Sequence, residues 1–258
     1  MTRLRIHRGG FSLVELITVV GVLALLIGIL VPVVSTARRQ ARATRCIANL
    51  QQWGQAFQMY ASAYNHSFAM HSAPDATELL WWEVLAEFNS DIRGSLLCPE
   101  AIDARDESRG PGDGVQLNYP PGSASYAWRA RTYSVAAPVW TVRGDWRGSY
   151  GLNYWVLRPN TKFQASELVR FPPKDSASIP FLGDCTVPTD YPNSSNHPPR
   201  NLTEPEAKNT LPFCIDRHRM AVNMAFLDGH VERVGLAELF KLKWSESYVP
   251  RDVVVPAP

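Results

Sequence analysis

The sequence predicts an α+β fold in which a long N-terminal helix, first transmembrane and then amphipathic, packs on an antiparallel β-sheet head with long loops. An apolar run fills residues 11–34, and an apolar stripe with helical spacing continues to Tyr64. Short alternating segments separated by loops rich in Pro and Gly follow. We therefore divide the chain into five segments: 1–10, 11–34, a stem 35–65, a globular head 66–240 and a tail 241–258.

The composition of the chain excludes some classes of protein. Of the 258 residues, 45% are hydrophobic and 19% are charged, which excludes a largely disordered chain. The net charge of +2 is not that of a nucleic-acid-binding protein. Residues 1–45 contain seven Arg and one Glu, whereas the rest of the chain is acidic. Basic charge beside an apolar run indicates a membrane surface rather than nucleic acid.

The first predicted element is a transmembrane helix over residues 11–34. Its sequence is FSLVELITVVGVLALLIGILVPVV, and its only charge is Glu15. Twenty-four helical residues span roughly 36 Å, enough to cross a hydrocarbon core with some tilt. Arginines flank the run on both sides, so their count alone leaves the orientation open: Arg3, Arg5, Arg8, Arg38, Arg39, Arg42 and Arg45.

A removable signal peptide is the alternative for this segment, with Ser35-Thr36-Ala37 as its cleavage site. The apolar run is longer than the roughly 7–15 residues of a signal peptide. An ionisable group inside a membrane segment also costs about 2.5–3.5 kcal/mol. Glu15 therefore indicates a partner or a function that a simple signal would not need.

The stem is predicted to continue the same helix. Its apolar stripe alternates spacings of four and three residues, as on one face of a helix: Ala43, Ile47, Leu50, Gly54, Phe57, Ala61 and Tyr64. The polar Asn65-His66-Ser67 would end it. Residues 11–64 then form one helix of roughly 80 Å. A soluble coiled coil is disfavoured because the stripe is short.

The head is predicted to mix one short helix with strands. Asp75 and Glu78 form a capping box before a helix over Leu79–Phe88. Strands are predicted at 126–130, 150–156 and 179–184.

The clearest element of the head is a hairpin. Alternating runs at 221–227 and 230–234 flank Asp228-Gly229, which predicts a two-residue turn with a positive φ at Asp228 and at Gly229. The end of the tail, 249–258, is predicted to fray.

His218, Asp228 and His230, together with Asp184, carry side chains that could bind a metal or transfer protons. We favour structural roles. Asp228 and Gly229 suit a turn, and His218 could cap or pack the hairpin through a backbone hydrogen bond. A calcium-like loop site through Asp184, Asp190 or Asp228 is a further alternative, although these acids lack the ligand spacing of a calcium loop. We therefore expect no catalytic residue, no metal and no cofactor.

The leader junction resembles a known family. Gly9-Gly10-Phe11-Ser12-Leu13-Val14-Glu15 is similar to the junction of type IV prepilins and type II secretion pseudopilins. The resemblance implies that residues 1–10 are a leader peptide. It also implies that prepilin peptidase cuts between Gly10 and Phe11 and then N-methylates Phe11. Glu15 would become the fifth residue of the mature chain.

The physical role of Glu15 then follows. Cleavage exposes an α-amino group four residues before it, at the membrane boundary. When subunits stack, the carboxylate can neutralise a neighbour's terminal amine and offset the desolvation of both charges. A lone interfacial Glu whose carboxylate reaches the membrane surface is the simpler alternative.

Pro32 removes its own amide donor and frees the carbonyl of Gly28, while Gly21 also weakens the helix. Two interpretations remain open. Membrane helices tolerate such residues, or the Gly21–Pro32 stretch kinks on packing, as the resemblance to pilins implies.

Two further segments extend the resemblance. The stem sequence CIANLQQWGQAFQMYASAYN from Cys46 is similar to a bacterial subgroup of prepilin-like proteins. His218 precedes Asp228-Gly229 with nine residues between, which resembles the H-X9-DG box of prepilin-type processing-associated proteins, abundant in planctomycete-like bacteria. This chain has Arg219-Met220 where such members often carry glycines after the His.

The four cysteines lack a CxxC pair, which disfavours a zinc knuckle. An extracytoplasmic head permits disulfides, and four cysteines allow three pairings. Cys46 and Cys98 could tie the stem to the head, worth about 3–5 kcal/mol. Cys185 and Cys214 would then pair near the hairpin. Four free thiols are the alternative.

The functional expectation is a structural subunit rather than an enzyme. It would be a single-pass protein of the cytoplasmic membrane with an extracytoplasmic head, assembled into a type II secretion pseudopilus or a pilus-like filament. Its partners would be prepilin peptidase, like subunits and a membrane assembly platform, with no nucleic acid. The alternatives are a tethered envelope-binding protein that is processed but never polymerises, and a secreted metal-dependent hydrolase.

Overall fold

The computed structural model describes residues 13–64, 80–101, 123–125, 127–136, 139–156, 173–203 and 209–257. The leader, the Gly10–Phe11 junction and the Asp75–Glu78 capping box lie outside the described residues. The chain divides into two compact units, Met1–Ala41 and Arg42–Pro258. A long N-terminal helix and a five-stranded sheet confirm the α+β class.

Helix α1 is a single element, Leu13–Ala63, of 51 residues. This agrees with the predicted helix over 11–64 and gives a length of about 77 Å. The helix contains Pro32 and is assigned without a break through it. Its N-terminal half is long and apolar enough to cross a membrane.

The C-terminal half of α1 is buried in the head. The predicted stripe is partly right, because Leu50, Gly54, Phe57 and Ala61 are buried whereas Tyr64 is exposed. The buried face is wider than one stripe, since the head covers the helix on more than one side. It also includes Cys46, Asn49, Trp53, Ala56 and Tyr60.

The predicted helix over Leu79–Phe88 is present in shortened form. Helix α2, Trp81–Val84, continues as a 3₁₀ turn over Leu85–Phe88, and helix α3 follows at Ile92–Ser95. Trp81 is fully buried and meets Trp53 of α1 edge to face, with ring centroids 4.9 Å apart. Aromatic packing therefore fixes this short segment to the stem.

The strands form two sheets. Strands β1 (Trp128–Ala136) and β2 (Val139–Gly148) pair antiparallel. The larger sheet has the order β5-β3-β4-β6-β7. Its strands are β3 (Tyr150–Asn153), β4 (Pro180–Asp184), β5 (Thr189–Asp190), β6 (Ala221–Phe226) and β7 (Val231–Gly235). All the predicted strands overlap these elements, although residues 154–156 form a 3₁₀ turn.

The larger sheet is mixed, whereas the sequence predicted an antiparallel one. β5 pairs parallel with β3, and the other neighbours are antiparallel. The reason is the short connection after β4. It turns back past the end of β3, where the amide of Leu152 donates to the carbonyl of Pro188 at 3.0 Å.

Strand β6 is buried at every residue, whereas β7 is largely exposed or half-buried. Two hydrophobic clusters explain the difference, because β6 contributes Ala225 to one and Met224 to the other. A strand covered on both faces loses the exposed side that alternation would predict.

The 221–234 hairpin is confirmed, but its predicted two-residue turn is wrong. The amide of Phe226 donates to the carbonyl of His230 at 3.0 Å, so the loop has three residues, Leu227, Asp228 and Gly229. Gly229 has φ +91°, and Asp228 is not among the residues with positive φ. A type I turn followed by a left-handed glycine is a common three-residue hairpin loop.

Residues 249–257 contain neither helix nor strand, yet the predicted fraying is wrong for much of this stretch. The amide of Arg251 donates to the carbonyl of Phe240 at 3.0 Å, and its guanidinium donates to the carbonyl of Asn196. Val253 and Val255 pack against the second hydrophobic cluster. These contacts attach the tail to the head.

Candidate functional site

The N-terminal part of α1 presents an unusually apolar surface. All its large apolar side chains from Leu13 to Val33 are between 51% and 75% exposed. Glu15 lies in the first turn, where its carbonyl accepts a hydrogen bond from the Thr18 hydroxyl at 3.0 Å. Soluble proteins rarely leave so long a continuous apolar surface in contact with water. This part of the helix therefore has the surface of a segment covered by lipid or by other subunits.

Gly28 and Pro32 lie inside this apolar part, where they were predicted. A Cβ placed on Gly28 would meet nothing within 4 Å. The carbonyl of Pro32 accepts hydrogen bonds from Ser35 at 2.8 Å and Thr36 at 3.0 Å. The helix continues through both residues, and the kink stays a prediction.

The head contains a second candidate, a buried polar cluster of four side chains: Cys46, Cys98, Asp184 and His218. One ligand atom from each lies within 4.8 Å of all the others. All four residues are buried. They come from four parts of the head: helix α1, the turn after α3, the end of β4, and the segment before β6.

The imidazole of His218 contacts two other members of the cluster. Its Nε2 lies 3.4 Å from the Cys98 sulfur and 3.1 Å from Asp184 Oδ2. The Cys46 sulfur lies 3.7 Å from the same carboxylate oxygen and 3.3 Å from the hydroxyl of Tyr150. The backbone positions these groups because the amide of His218 donates to the carbonyl of Ala221 at the start of β6.

Arg217 supplies a buried cation beside the cluster. Its Nη1 donates to Asp184 Oδ1 at 3.0 Å and to the Ser149 carbonyl at 2.6 Å. Its Nε and Nη2 donate to the carbonyls of Ala124 and Ser123. The guanidinium is fully buried, so these acceptors replace the water it would otherwise bind.

Two backbone amides complete the surroundings of the cluster. The amide of Asn223 donates to Asp184 Oδ2 at 2.9 Å. The amide of Cys98 donates to the hydroxyl of Ser149 at 2.6 Å. These bonds hold the Asp184 carboxylate and the backbone at Cys98 in place.

Electrostatics follow from this packing. Burial opposes ionisation of Asp184, but the hydrogen bond from His218 and the charge of Arg217 outweigh it and lower the carboxyl pKa to about 2. Burial also disfavours a charged His218, yet its hydrogen bonds to Asp184 and Cys98 raise the imidazole pKa to about 10.

The two thiols of the cluster shift in opposite directions. For Cys98, burial is outweighed by hydrogen bonds from Cys46 and His218, and the pKa falls to about 7. Burial raises the pKa of Cys46 well above its ordinary value. The cluster therefore favours one thiolate, on Cys98.

A thiolate, an imidazole and a carboxylate in this order are the parts of a nucleophilic site. Reactive cysteines, however, are partially exposed, and Cys46, Cys98 and Asp184 each have 0% relative exposure. A substrate would have no access to the sulfur without opening the core. Binding of a small ion suits this geometry better than chemistry on a substrate.

The other predicted site residues lie elsewhere. Asp228 and His230 form an exposed pair in the hairpin loop, with Oδ1 and Nδ1 2.6 Å apart. His218 does not face this pair, so the residues of the H-X9-DG box do not meet in one site. Asp190 ends β5, and its Oδ2 is buried with no hydrogen-bond partner among the described residues.

All four cysteines are free and buried. Cys46 and Cys98 are brought together, with their sulfurs within 4.8 Å, and no bond joins them. Cys185 and Cys214 share the second hydrophobic cluster, and burial raises the pKa of both thiols. The predicted disulfides stay predictions.

The sequence indicated the members of the cluster only as two separate pairs. Cys46 was matched with Cys98, and Asp184 was considered with His218, but the four were not combined. Arg217 was missed, although a basic residue directly before His218 could have suggested a buried acidic partner.

No family model, curated protein or solved structure matches this chain. Its function is therefore inferred from its own residues and their geometry.

Proposed function

We propose that this chain is a membrane-anchored structural subunit similar to type IV pilins and type II secretion pseudopilins. The observation that supports it is the continuity of α1. One helix exposes apolar side chains over its first part and contributes core residues to the head over its last part. A helix of this kind can hold a folded head at a membrane and also pack against the helices of neighbouring copies.

The position of Glu15 fits assembly. In hydrocarbon a carboxylate costs about 2.5–3.5 kcal/mol. An α-amino group created at Phe11 of an adjacent copy would be a partner of opposite charge. A slip of one subunit against the next would leave both charges without their partners, so the pair would set the axial register.

A signal peptide cut after Ala37 fits the helix less well. The cut would fall inside α1, which is assigned as helix on both sides of that residue. The buried stem begins only nine residues later, at Cys46. Cleavage there would remove the apolar part of α1 and cut the helix just before its buried part, so retention of this segment fits the structure better.

The proposed partners follow from this role. Prepilin peptidase would cut the leader between Gly10 and Phe11 and methylate the new terminus. The chain would then reside in the cytoplasmic membrane, with its head on the outer side, until an assembly platform joined it to like subunits. The chain itself would be the substrate of the peptidase and not an enzyme.

The mature N-terminus tests the processing step. We expect mass spectrometry of the membrane-extracted protein to find a chain that begins with N-methylated Phe11. Gly10→Val should leave the leader attached, and Gly9→Val serves as the matched control that is still cut. A chain beginning after Ala37, or one retaining Met1, would overturn the proposal.

Assembly is tested at Glu15. Two differently tagged copies are expressed in one cell, crosslinked and purified through one tag. We expect Glu15→Ala to abolish recovery of the second copy, because the amine loses its partner. Thr18→Ala is the control, since the Thr18 hydroxyl bonds to the backbone of its own helix. Equal recovery for wild type and Glu15→Ala would instead favour the tethered protein that never polymerises.

A further inference from the structure

The buried cluster in the head has the composition of a metal site. Two thiols, one imidazole and one carboxylate converge from four separate parts of the chain. Thiolate and imidazole ligands together select zinc among the common divalent ions. We propose that Cys46, Cys98, Asp184 and His218 bind one zinc ion in a closed, four-coordinate site.

The spacing of the four ligand atoms supports this proposal. With bonds of about 2.3 Å to sulfur and about 2.0–2.2 Å to nitrogen and oxygen, the edges of a tetrahedron measure about 3.3–3.8 Å. The Cys98–His218 edge is 3.4 Å and the Cys46–Asp184 edge is 3.7 Å. The His218–Asp184 edge is 3.1 Å. Small side-chain adjustments would place all four atoms at bonding distance from one ion.

The contacts of His218 also support a bound ion. Its Nε2 faces both the Cys98 sulfur and the Asp184 carboxylate. A single N–H directed at one of these acceptors is poorly directed at the other. An ion between the three groups would satisfy all of them at once, because each contributes one lone pair.

The charges of the site also balance. Two thiolates and one carboxylate contribute three negative charges, and a divalent ion contributes two positive ones. The remaining negative charge is neutralised by Arg217, which donates to Asp184 Oδ1 at 3.0 Å. On binding, Cys46 and the Nε2 of His218 each release a proton to solvent, and Cys98 does so where it is still a thiol. A fully buried site of zero net charge avoids the large cost of an uncompensated charge in the core.

Groups around the ligands would hold them in place. Arg217 and the amide of Asn223 bond to the Asp184 carboxylate. The Tyr150 hydroxyl lies 3.3 Å from the Cys46 sulfur. Metal sites commonly depend on such outer hydrogen bonds to orient their ligands.

The consequence for the protein is structural. The ion would join the stem, through Cys46, to three segments of the head at the point where α1 enters it. A site closed by four protein ligands leaves no position for a substrate or an attacking water. It would therefore stabilise the attachment of the head to the stem, whether or not the chain assembles into a filament.

The same side chains could instead adopt one of two other states, and the test distinguishes both from a zinc site. Oxidation would join Cys46 and Cys98 in a disulfide and remove both thiolate ligands. In a metal-free hydrogen-bonded network, both thiols would stay reduced and the protein would contain no ion at this cluster.

The test uses the full chain, purified in detergent without chelators after expression with zinc in the medium. We expect elemental analysis to find one zinc per chain. Cys98→Ala and His218→Ala should each reduce the zinc content to near zero. Cys185→Ala is the matched control, because this buried cysteine lies outside the cluster, and it should keep the ion.

A second measurement does not depend on the variants folding. Cobalt exchanged into the wild-type chain should give the visible absorption of a tetrahedral ion and a near-ultraviolet band from thiolate ligands. Folded wild-type protein without stoichiometric zinc, and with no such cobalt spectrum, would overturn the proposal. An intact mass two units low that maps to a Cys46–Cys98 disulfide would overturn it as well.

Discussion

Asp190 gives a quantitative prediction about pH. It lies at the end of the two-residue strand β5, and its Oδ2 is buried with no hydrogen-bond partner among the described residues. Burial raises the pKa of this carboxyl from its ordinary 3.8 to about 7, against a smaller opposing effect of the Tyr191 amide. Replacing it by Asn removes the charge while keeping the shape.

The sign of the effect follows from the raised pKa. Between about pH 4 and pH 7 the unfolded chain has lost the proton that the folded chain still holds, so stability falls as the pH rises through this range. This change in the Asp190 pKa corresponds to about 4 kcal/mol of stability as an upper bound. Since Asp190 as a residue is half-buried and the Asn amide also needs a partner, we expect a gain of about 1–2 kcal/mol at pH 8. Below about pH 4 the gain should vanish.

The assay is urea unfolding of the full chain in detergent, followed by tryptophan fluorescence, at pH 5 and pH 8. The wild type should lose stability over this interval by about 1 kcal/mol more than Asp190→Asn, because most of the titration window lies between pH 5 and pH 7. The matched control is Asp252→Asn, which removes a carboxylate whose side chain is 93% exposed. An equal pH dependence for wild type and Asp190→Asn would refute the assigned cause.

Three further predictions use the same unfolding assay. Arg217→Met should cost about 3–5 kcal/mol, because it removes the buried cation at Asp184 Oδ1 and leaves three backbone carbonyls without their donor. Arg219 has φ +57°, so Arg219→Gly should be more stable than Arg219→Ala by about 1 kcal/mol. A Cβ on Gly151 would lie 2.5 Å from the Val187 carbonyl, so Gly151→Ala should cost about 1–3 kcal/mol, whereas Gly235→Ala, with room for a methyl, serves as control.

The elements that the sequence predicted well are those whose signal is local. Helix α1 depends on apolarity and a helical period, which are visible in any window of the chain. The 221–234 hairpin depends on alternation and a turn dipeptide. Its loop type was not predictable, because Asp-Gly suits a two-residue loop as well as a three-residue one. The register, with Phe226 opposite His230, decides between them.

The features that were missed depend on distant parts of the chain. β5 has only two residues, too few to give a period, and its parallel pairing follows from the path of the chain after β4. The buried cluster joins residues separated by up to 172 positions, from Cys46 to His218. No local pattern indicates that a cysteine pair and a carboxylate–imidazole pair share one place in the core.

The two residues after His218 have a backbone conformation that is unusual for residues other than glycine. Arg219 and Met220 both have φ +57°, the left-handed conformation that glycine adopts without strain. These are the positions where the chain differs from the glycines often found after the His of the box. The left-handed turn therefore forms here without glycine. The carbonyls of His218 and Arg219 compensate by accepting hydrogen bonds from Arg233 on β7, at 2.6 and 2.9 Å.

The spacing of nine residues between His218 and Asp228 matches a distance along the stem helix. His218 lies just before β6 and meets Cys46 in the cluster, while Gly229 lies just after β6 and approaches Gly54. Gln58 donates to the Leu227 carbonyl at 2.5 Å, near the same end of the strand.

From Cys46 to Gln58 the helix rises about 18 Å, and the six residues of β6 span about 20 Å. The nine residues between His218 and Asp228 therefore let one end of β6 contact α1 near Cys46 and the other end contact it near Gln58. This matching of lengths accounts for the positions of His218 and of Asp228-Gly229 through attachment of the stem. It requires no catalytic role for His218 or Asp228.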